Sequence, residues 1–314
     1  MAELTTNKST NLELTPEKFQ IVGIDRDESE KIMRPSLTYL QDAWRRLKKN
    51  KLAILSAIIL IAIILFTIIV PIVGKDYTKI DTSVKNLKPS AKFLFGTDNL
   101  GRDLFARVAQ GGRVSILIAI ICTFLMTVMG CAYGGVSGYY GGLVDDIMMR
   151  FIEILGSLPN LVLTILLSLV LGRGMFSLVL AISLTSWIGT ARIVRGKILQ
   201  LKEQEFVLAA QSLGAGASRV IVKHLLPNTF GLVMVDITFS VPSFIFYEAF
   251  LSYIGLGIAS PNTSWGALAS AAQSKIQFYP YQLFFPCLFI SLVMLCFNLF
   301  GDGLNDALDP RLRQ

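Results

Sequence analysis

Leu52-Ala53-Ile54-Leu55-Ser56-Ala57-Ile58-Ile59-Leu60-Ile61-Ala62-Ile63-Ile64-Leu65-Phe66-Thr67-Ile68-Ile69-Val70-Pro71-Ile72-Val73-Gly74 runs without one charged side chain. A helix rises about 1.5 Å per residue, so about 20 such residues cross a hydrocarbon core of about 30 Å. Only a helix satisfies its own backbone polar groups there within one segment. The stretch therefore predicts a membrane-spanning helix. Four more uncharged blocks repeat the pattern: Val114 to Val144, Ile154 to Gly172, Gly174 to Ala191 and Ile276 to Gly301. A further block, Phe230 to Ala259, is interrupted by Asp236 and Glu248. The expected fold is all-α, a polytopic membrane protein with about six transmembrane helices. Composition agrees, because 53% hydrophobic and 16% charged residues leave too little polar surface for a water-soluble domain.

The first span follows a long polar segment, which excludes a cleaved signal peptide and makes it a retained anchor. Arg45, Arg46, Lys48, Lys49 and Lys51 stand just before it, and the positive-inside rule places that end in the cytoplasm. Four crossings later, the loop with Arg192, Arg195, Lys197, Lys202, Arg219 and Lys223 returns to the same side. By parity, Lys75 to Arg113 falls outside despite eight Lys and Arg, as a mixed-charge segment with Asp76, Asp81, Asp98 and Asp103. The expected organisation is a cytoplasmic tail and interfacial helix over 1–51, an anchor over 52–74 and an extracytoplasmic segment over 75–112. A transmembrane core follows over 113–303, with a cytoplasmic loop at 192–228, then a cytoplasmic tail over 304–314. Leu37, Leu40, Ala43, Trp44 and Leu47 carry the helical spacing of the interfacial helix.

Catalytic chemistry has nothing to act with. Cys122, Cys131, Cys287 and Cys296 all lie in apolar runs, where a thiol packs as a small hydrophobe. His224 is the one histidine and lacks nearby partners for a metal. Arg195-Gly196-Lys197-Ile198 is no phosphate loop, because Ala191 stands where the first Gly belongs and Ile198 where Ser or Thr would hold magnesium. No nucleophile elbow or zinc-protease helix is present.

The cytoplasmic loop has its own pattern. From Glu203, apolar Phe206, Val207, Ala210 and Leu213 recur at helical spacing, and Gly214 can take the left-handed conformation that ends a helix. A second short helix follows with Val220, Ile221 and Leu225 on one side, and Pro227 is expected to stop it. Two short helices at a membrane surface make either a rigid knob for a partner protein or an amphipathic loop resting on lipid.

These residues resemble the loop of permease subunits in ATP-binding-cassette (ABC) importers. That pattern is Glu-Ala-Ala, three residues, Gly, nine residues, Ile, one residue, Leu-Pro. Here it reads Leu208-Ala209-Ala210, Gly214, His224 and Leu226-Pro227. Leu208 replaces the Glu and His224 the Ile. The run Phe95-Gly96-Thr97-Asp98 with Gly101-Arg102-Asp103, then Gly111-Gly112-Arg113-Val114-Ser115, is similar to the second, C-type permease of oligopeptide, dipeptide and nickel importers. Ser252-Tyr253-Ile254-Gly255-Leu256-Gly257, Ser264-Trp265-Gly266 and the ending from Gly301 to Arg311 match that group too.

The resemblance implies a type I ABC importer permease fold, without an ATPase site of its own. Two partner ABC ATPase subunits would bind ATP and Mg, and this chain would bind no cofactor and no metal. A homologous permease would complete the path, and an extracytoplasmic binding protein would deliver peptide. Glu205, Leu208, Ala209, Ala210, Gly214, His224, Leu226 and Pro227 would couple to the ATPase. A nickel or metal-complex permease and a secondary transporter are the alternatives, and nucleic acid is not an expected partner. The expected location is the plasma or inner membrane, multi-pass, with both termini cytoplasmic. Polar groups within spans are costly and usually face protein or water, which makes Asp236, Glu248, Glu153 and Asn298 candidates for the substrate path or for bonds to neighbouring helices.

Overall fold

A computed structural model describes residues 39–308. The expected tail over 1–38 and the last six residues lie outside the described residues. The helices are α1 (Tyr39–Leu47), α2 (Lys51–Val73), α3 (Leu104–Tyr140), α4 (Gly142–Gly156), α5 (Asn160–Leu171) and α6 (Met175–Leu201). After them come α7 (Glu205–Ser212), α8 (Ala217–Arg219), a π-helical turn (Val220–Leu225), α9 (Leu226–Asn228), α10 (Phe230–Tyr253), α11 (Trp265–Gln273) and α12 (Pro280–Leu308). Among the described residues, α2, α3, α6, α10 and α12 are each long and apolar enough to cross a membrane. The pair α4 and α5 makes a sixth span if it is taken as one element bent by 74°.

That bend corrects the expectation of one helix from Ile154 to Gly172. Pro159 carries no backbone N–H and disfavours helix in the residue before it, so α4 ends at Gly156 and α5 starts afresh at Asn160. The second span also differs, starting at Leu104 instead of Val114. Asp103 caps it by accepting the Phe105 N–H at 2.9 Å. Arg107, one turn in, sits 3.3 Å from Asp98. Thus the segment after the anchor ends at Asp103. Likewise Arg192, Arg195 and Lys197 belong to α6 and not to a loop, and α12 continues to Leu308, so 304–308 is helix where a tail was expected. Helix α11 was not anticipated; it is capped by Ser264, whose hydroxyl accepts from the Ala267 N–H at 3.2 Å.

The anchor α2 shows how these helices are patterned. Ala53, Ser56, Leu60, Ile63 and Thr67 are buried, while Leu55, Ile58, Ile61, Leu65 and Ile72 are exposed. Both faces are apolar, as suits a helix between a protein bundle and lipid tails. Ser56 and Thr67 return their hydroxyls to Leu52 and Ile64 carbonyls at 2.8 and 2.9 Å, so the anchor keeps its own polar atoms satisfied.

The bundle is centred on α3 and α6. Gly130, Gly134 and Gly138 recur every fourth residue along α3, so their backbones approach Thr190, Ala191, Val194, Arg195 and Ile198 of α6. A Cβ at Gly134 would fall 2.4 Å from the Ala191 carbonyl oxygen, which no rotamer relieves. We expect Gly134→Val to cost about 3 kcal/mol by forcing α3 and α6 apart. Loss of monodisperse protein on detergent extraction would report it, and unchanged thermal stability would refute the packing account. Gly141 and Gly142 instead take positive φ, 65° and 51°, at the turn between α3 and α4.

Residues 75–103 form a turn-rich clamp. Gly96 and Gly101 adopt φ of 80° and 75°, and a Cβ at Gly101 would lie 1.7 Å from the Asp81 carbonyl oxygen. Asp98 accepts from the Leu100 and Arg102 backbone and from Arg102 Nε, at 2.9, 3.0 and 2.7 Å. Phe95 stacks on Phe285 with centroids 3.9 Å apart. Gln282 donates to the Thr97 carbonyl at 2.9 Å, which ties the clamp to the start of α12. Lys75 pairs with Asp103 at 2.9 Å and Asp98 is shared by Arg102 and Arg107, so two local carboxylates offset two of the three positive charges on these bases that complicate the charge rule.

Candidate coupling elbow and transport-path residues

Residues 205–228 fold as an elbow. Helix α7 ends in a Schellman motif: the Gly214 N–H reaches the Gln211 carbonyl at 2.9 Å and the Ala215 N–H the Ala210 carbonyl at 3.0 Å. Gly214 supplies the left-handed residue at φ 82°. The second arm is one helical path over 217–228 whose centre is π-helical, with the Leu226 N–H bonded to the Ile221 carbonyl. Pro227 does not end it as expected. A proline has no N–H for the usual bond, and the wider π turn absorbs that loss by re-registering the preceding carbonyls. Asn228 Nδ2 donates to the His224 carbonyl at 2.6 Å.

The elbow is braced from behind. Val207, Val220, Ile221 and Leu225 are buried in one cluster with Val194 and Ile198 of α6 and Val233 of α10. Its outer side is bare: Glu205, Leu208, Ala209 and Pro227 are exposed, and Ala210, His224 and Leu226 are half-buried. Of the four apolar residues at helical spacing only Val207 is buried; Phe206 and Leu213 are exposed, Leu213 at 89%. The elbow is thus packed against α6 and α10 through this cluster, with Phe206, Leu208 and Leu213 exposed on its outer side.

The path candidates are not brought together. Asp236 and Glu248 lie about 18 Å apart along α10 at 1.5 Å per residue. Asp236 accepts from Thr190 of α6 at 2.6 Å. Glu248 is fully buried; Ser115 of α3 and Ser252 each donate to it at 2.6 Å, and Ser264 lies 3.2 Å from Ser252. In this chain Glu248 faces serines and no open surface. Asn298 is exposed on α12.

Glu153 lines a cleft of about 630 Å³ together with Asp146, Met149 and Arg150 of α4 and Arg192 and Arg195 of α6. Arg195 makes a two-pronged ion pair with Asp145, which also accepts from Ser137 of α3, so one buried carboxylate joins three helices.

Two clusters escaped sequence reading. The Glu248 cage draws Ser115, Ser252 and Ser264 from three separate motifs, and Trp265 adds a 2.9 Å bond from Nε1 to the Val108 carbonyl. Gly112 leaves room for that indole, since a Cβ there would lie 2.5 Å from Trp265 Cζ2. The serines in those motifs were the available signal. Asp145 and Arg195, by contrast, stand fifty residues apart with no local pattern joining them.

Comparison with known proteins matches this architecture. Residues 127–314, more than half the chain, match the family of binding-protein-dependent transport system inner membrane components, and residues 38–89 match the N-terminal TM domain of oligopeptide transport permease C. The dipeptide transport system permease protein DppC of Bacillus subtilis is 45% identical over 95% of this chain and 94% of its own length. The oligopeptide transport system permease proteins OppC of Bacillus subtilis and Escherichia coli are 46% and 42% identical, over 94% and 91% of this chain and 97% and 95% of theirs. An inward-facing MetNI methionine ABC transporter structure superposes with a TM-score of 0.52 at 16% identity, over 65% of this chain and 96% of that one, which supports the ABC-importer permease fold. With an elbow braced on two spans and near full-length similarity, the chain belongs to the family of binding-protein-dependent transport system inner membrane components.

Proposed function

We propose that this chain is the C-type permease of an ATP-driven importer of peptides, lining the path together with a homologous permease. The observation that carries the reading is the elbow: an outward apolar helix, α7, fixed by buried side chains to α6 and α10. Two ATPase subunits bind ATP and Mg, close on α7 and shift those spans; this chain hydrolyses nothing and binds no cofactor. An extracytoplasmic binding protein delivers the cargo. Both termini and the elbow face the cytoplasm, as the basic residues before α2 and after Ala191 support. Peptide is favoured over nickel because the relatives above are named as dipeptide and oligopeptide permeases.

The test is uptake by proteoliposomes holding the affinity-purified assembly, with ATP on the elbow side and the loaded binding protein on the other. Labelled di- and oligopeptides accumulate and labelled nickel does not. Accumulation driven by a proton gradient without ATP would instead indicate a secondary transporter.

A further inference from the structure

We propose that the cleft between α4 and α6 holds the two termini of a peptide in transit: Arg192 takes the α-carboxylate, and Asp146 and Glu153 take the α-ammonium. This rests on the peptide-permease reading and names a site within it. Asp146, Met149, Arg150 and Glu153 recur at helical spacing on one face of α4, opposite Arg192 and Arg195 one turn apart on α6. The cleft therefore presents both charges to one ligand.

The charges are unequally committed. Arg195 is held by Asp145, and Arg150 lies 3.0 Å from Glu153 in an exposed pair, a kind that solvent screens to little strength. Arg192 makes no hydrogen bond or ion pair among the described residues, and its Nη2 lies near Gly156 of α4, where even a Cβ would meet it only at an ordinary 3.5 Å contact. Arg192 also stands nine residues before the end of α6, about 13 Å along the helix from the elbow. An unpaired guanidinium within a membrane-spanning helix is costly unless it borders water or meets an anion. Its planar fork suits a carboxylate. The cleft's size lies in the range of small-ligand sites, and a tripeptide extends about 10 Å. Met149 contributes an adaptable apolar wall indifferent to the passing side chain. Terminal recognition of this kind accepts many sequences while rejecting blocked ends.

The experiment compares the reconstituted assembly, wild type and Arg192→Gln, on labelled trialanine, its C-terminal amide and its N-acetyl form, each at saturating loaded binding protein. Variant-to-wild-type ratios for each peptide cancel any preference of the binding protein. We expect Arg192→Gln to slow trialanine about tenfold, the size of one lost charge-assisted contact, and the amide less than about twofold. Arg192→Lys should restore most of the trialanine rate. Equal slowing of free and amidated peptide would overturn the proposal and point to a lipid headgroup or a helix contact at Arg192; no slowing would also overturn it. If Arg192→Gln fails to assemble, Asp146→Asn and Glu153→Gln against the N-acetyl peptide carry the same comparison. Wild-type vesicles that take up none of these peptides would refute the peptide-permease reading itself, a result distinct from failure of the cleft.

Discussion

Gly214→Pro is expected to lower ATP-driven uptake by about a hundredfold while leaving substrate capture by the binding protein unchanged. Three effects combine at one residue. Proline fixes φ near −65°, whereas Gly214 sits at 82°. The substitution also deletes the N–H that closes the turn on Gln211 and pushes Leu213 from its turn conformation at φ −81°, ψ 8° toward extended backbone. Together these cost about 3 kcal/mol or more, enough to depopulate the native elbow by about a hundredfold. Asparagine tolerates the left-handed region, so Gly214→Asn should stay within a few-fold of wild type. The contrast separates backbone geometry from the mere presence of a side chain, for which there is open space. Normal uptake by the proline variant would mean that the elbow transmits no force.

Glu248→Ala should produce the largest loss of stability among the polar positions of the bundle. It strands the Ser115 and Ser252 hydroxyls in a fully buried site and opens a cavity between α3, α10 and the start of α11. Unsatisfied buried hydroxyls cost about 1–3 kcal/mol and the cavity adds to that, so about 3–5 kcal/mol is expected. Glu248→Gln keeps an acceptor and nearly the same volume, and should cost about 1 kcal/mol. Thermal unfolding of the purified assembly measures both. An alanine variant as stable as wild type would show that the cage does not hold these helices together.

The spans were legible because lipid imposes one strong rule, long uncharged runs, and α2 obeys it almost to the residue. Boundaries were not, since they are set by capping and tertiary pairing. Asp103 and the Asp98–Arg107 pair carry α3 ten residues beyond the apolar run, and Arg195 is accommodated on α6 by its pair with Asp145, fifty residues away. The Gly214 turn was readable as local chemistry. The exposure of Phe206 and Leu213 was not, because helical spacing identifies an apolar face without saying whether this chain or another protein covers it. Glu248 stood out as a charge in an apolar run, but its serine partners lie up to 133 residues away and only the fold unites them.

The most direct test of the central claim is a photo-crosslinking amino acid at Leu213, the most exposed large apolar residue of the elbow, in the intact membrane assembly. The mechanism predicts an adduct with a nucleotide-binding ATPase subunit, formed on the cytoplasmic side and identified by mass spectrometry. Adducts with lipid alone, or reaction with a probe confined to the outer side, would contradict it.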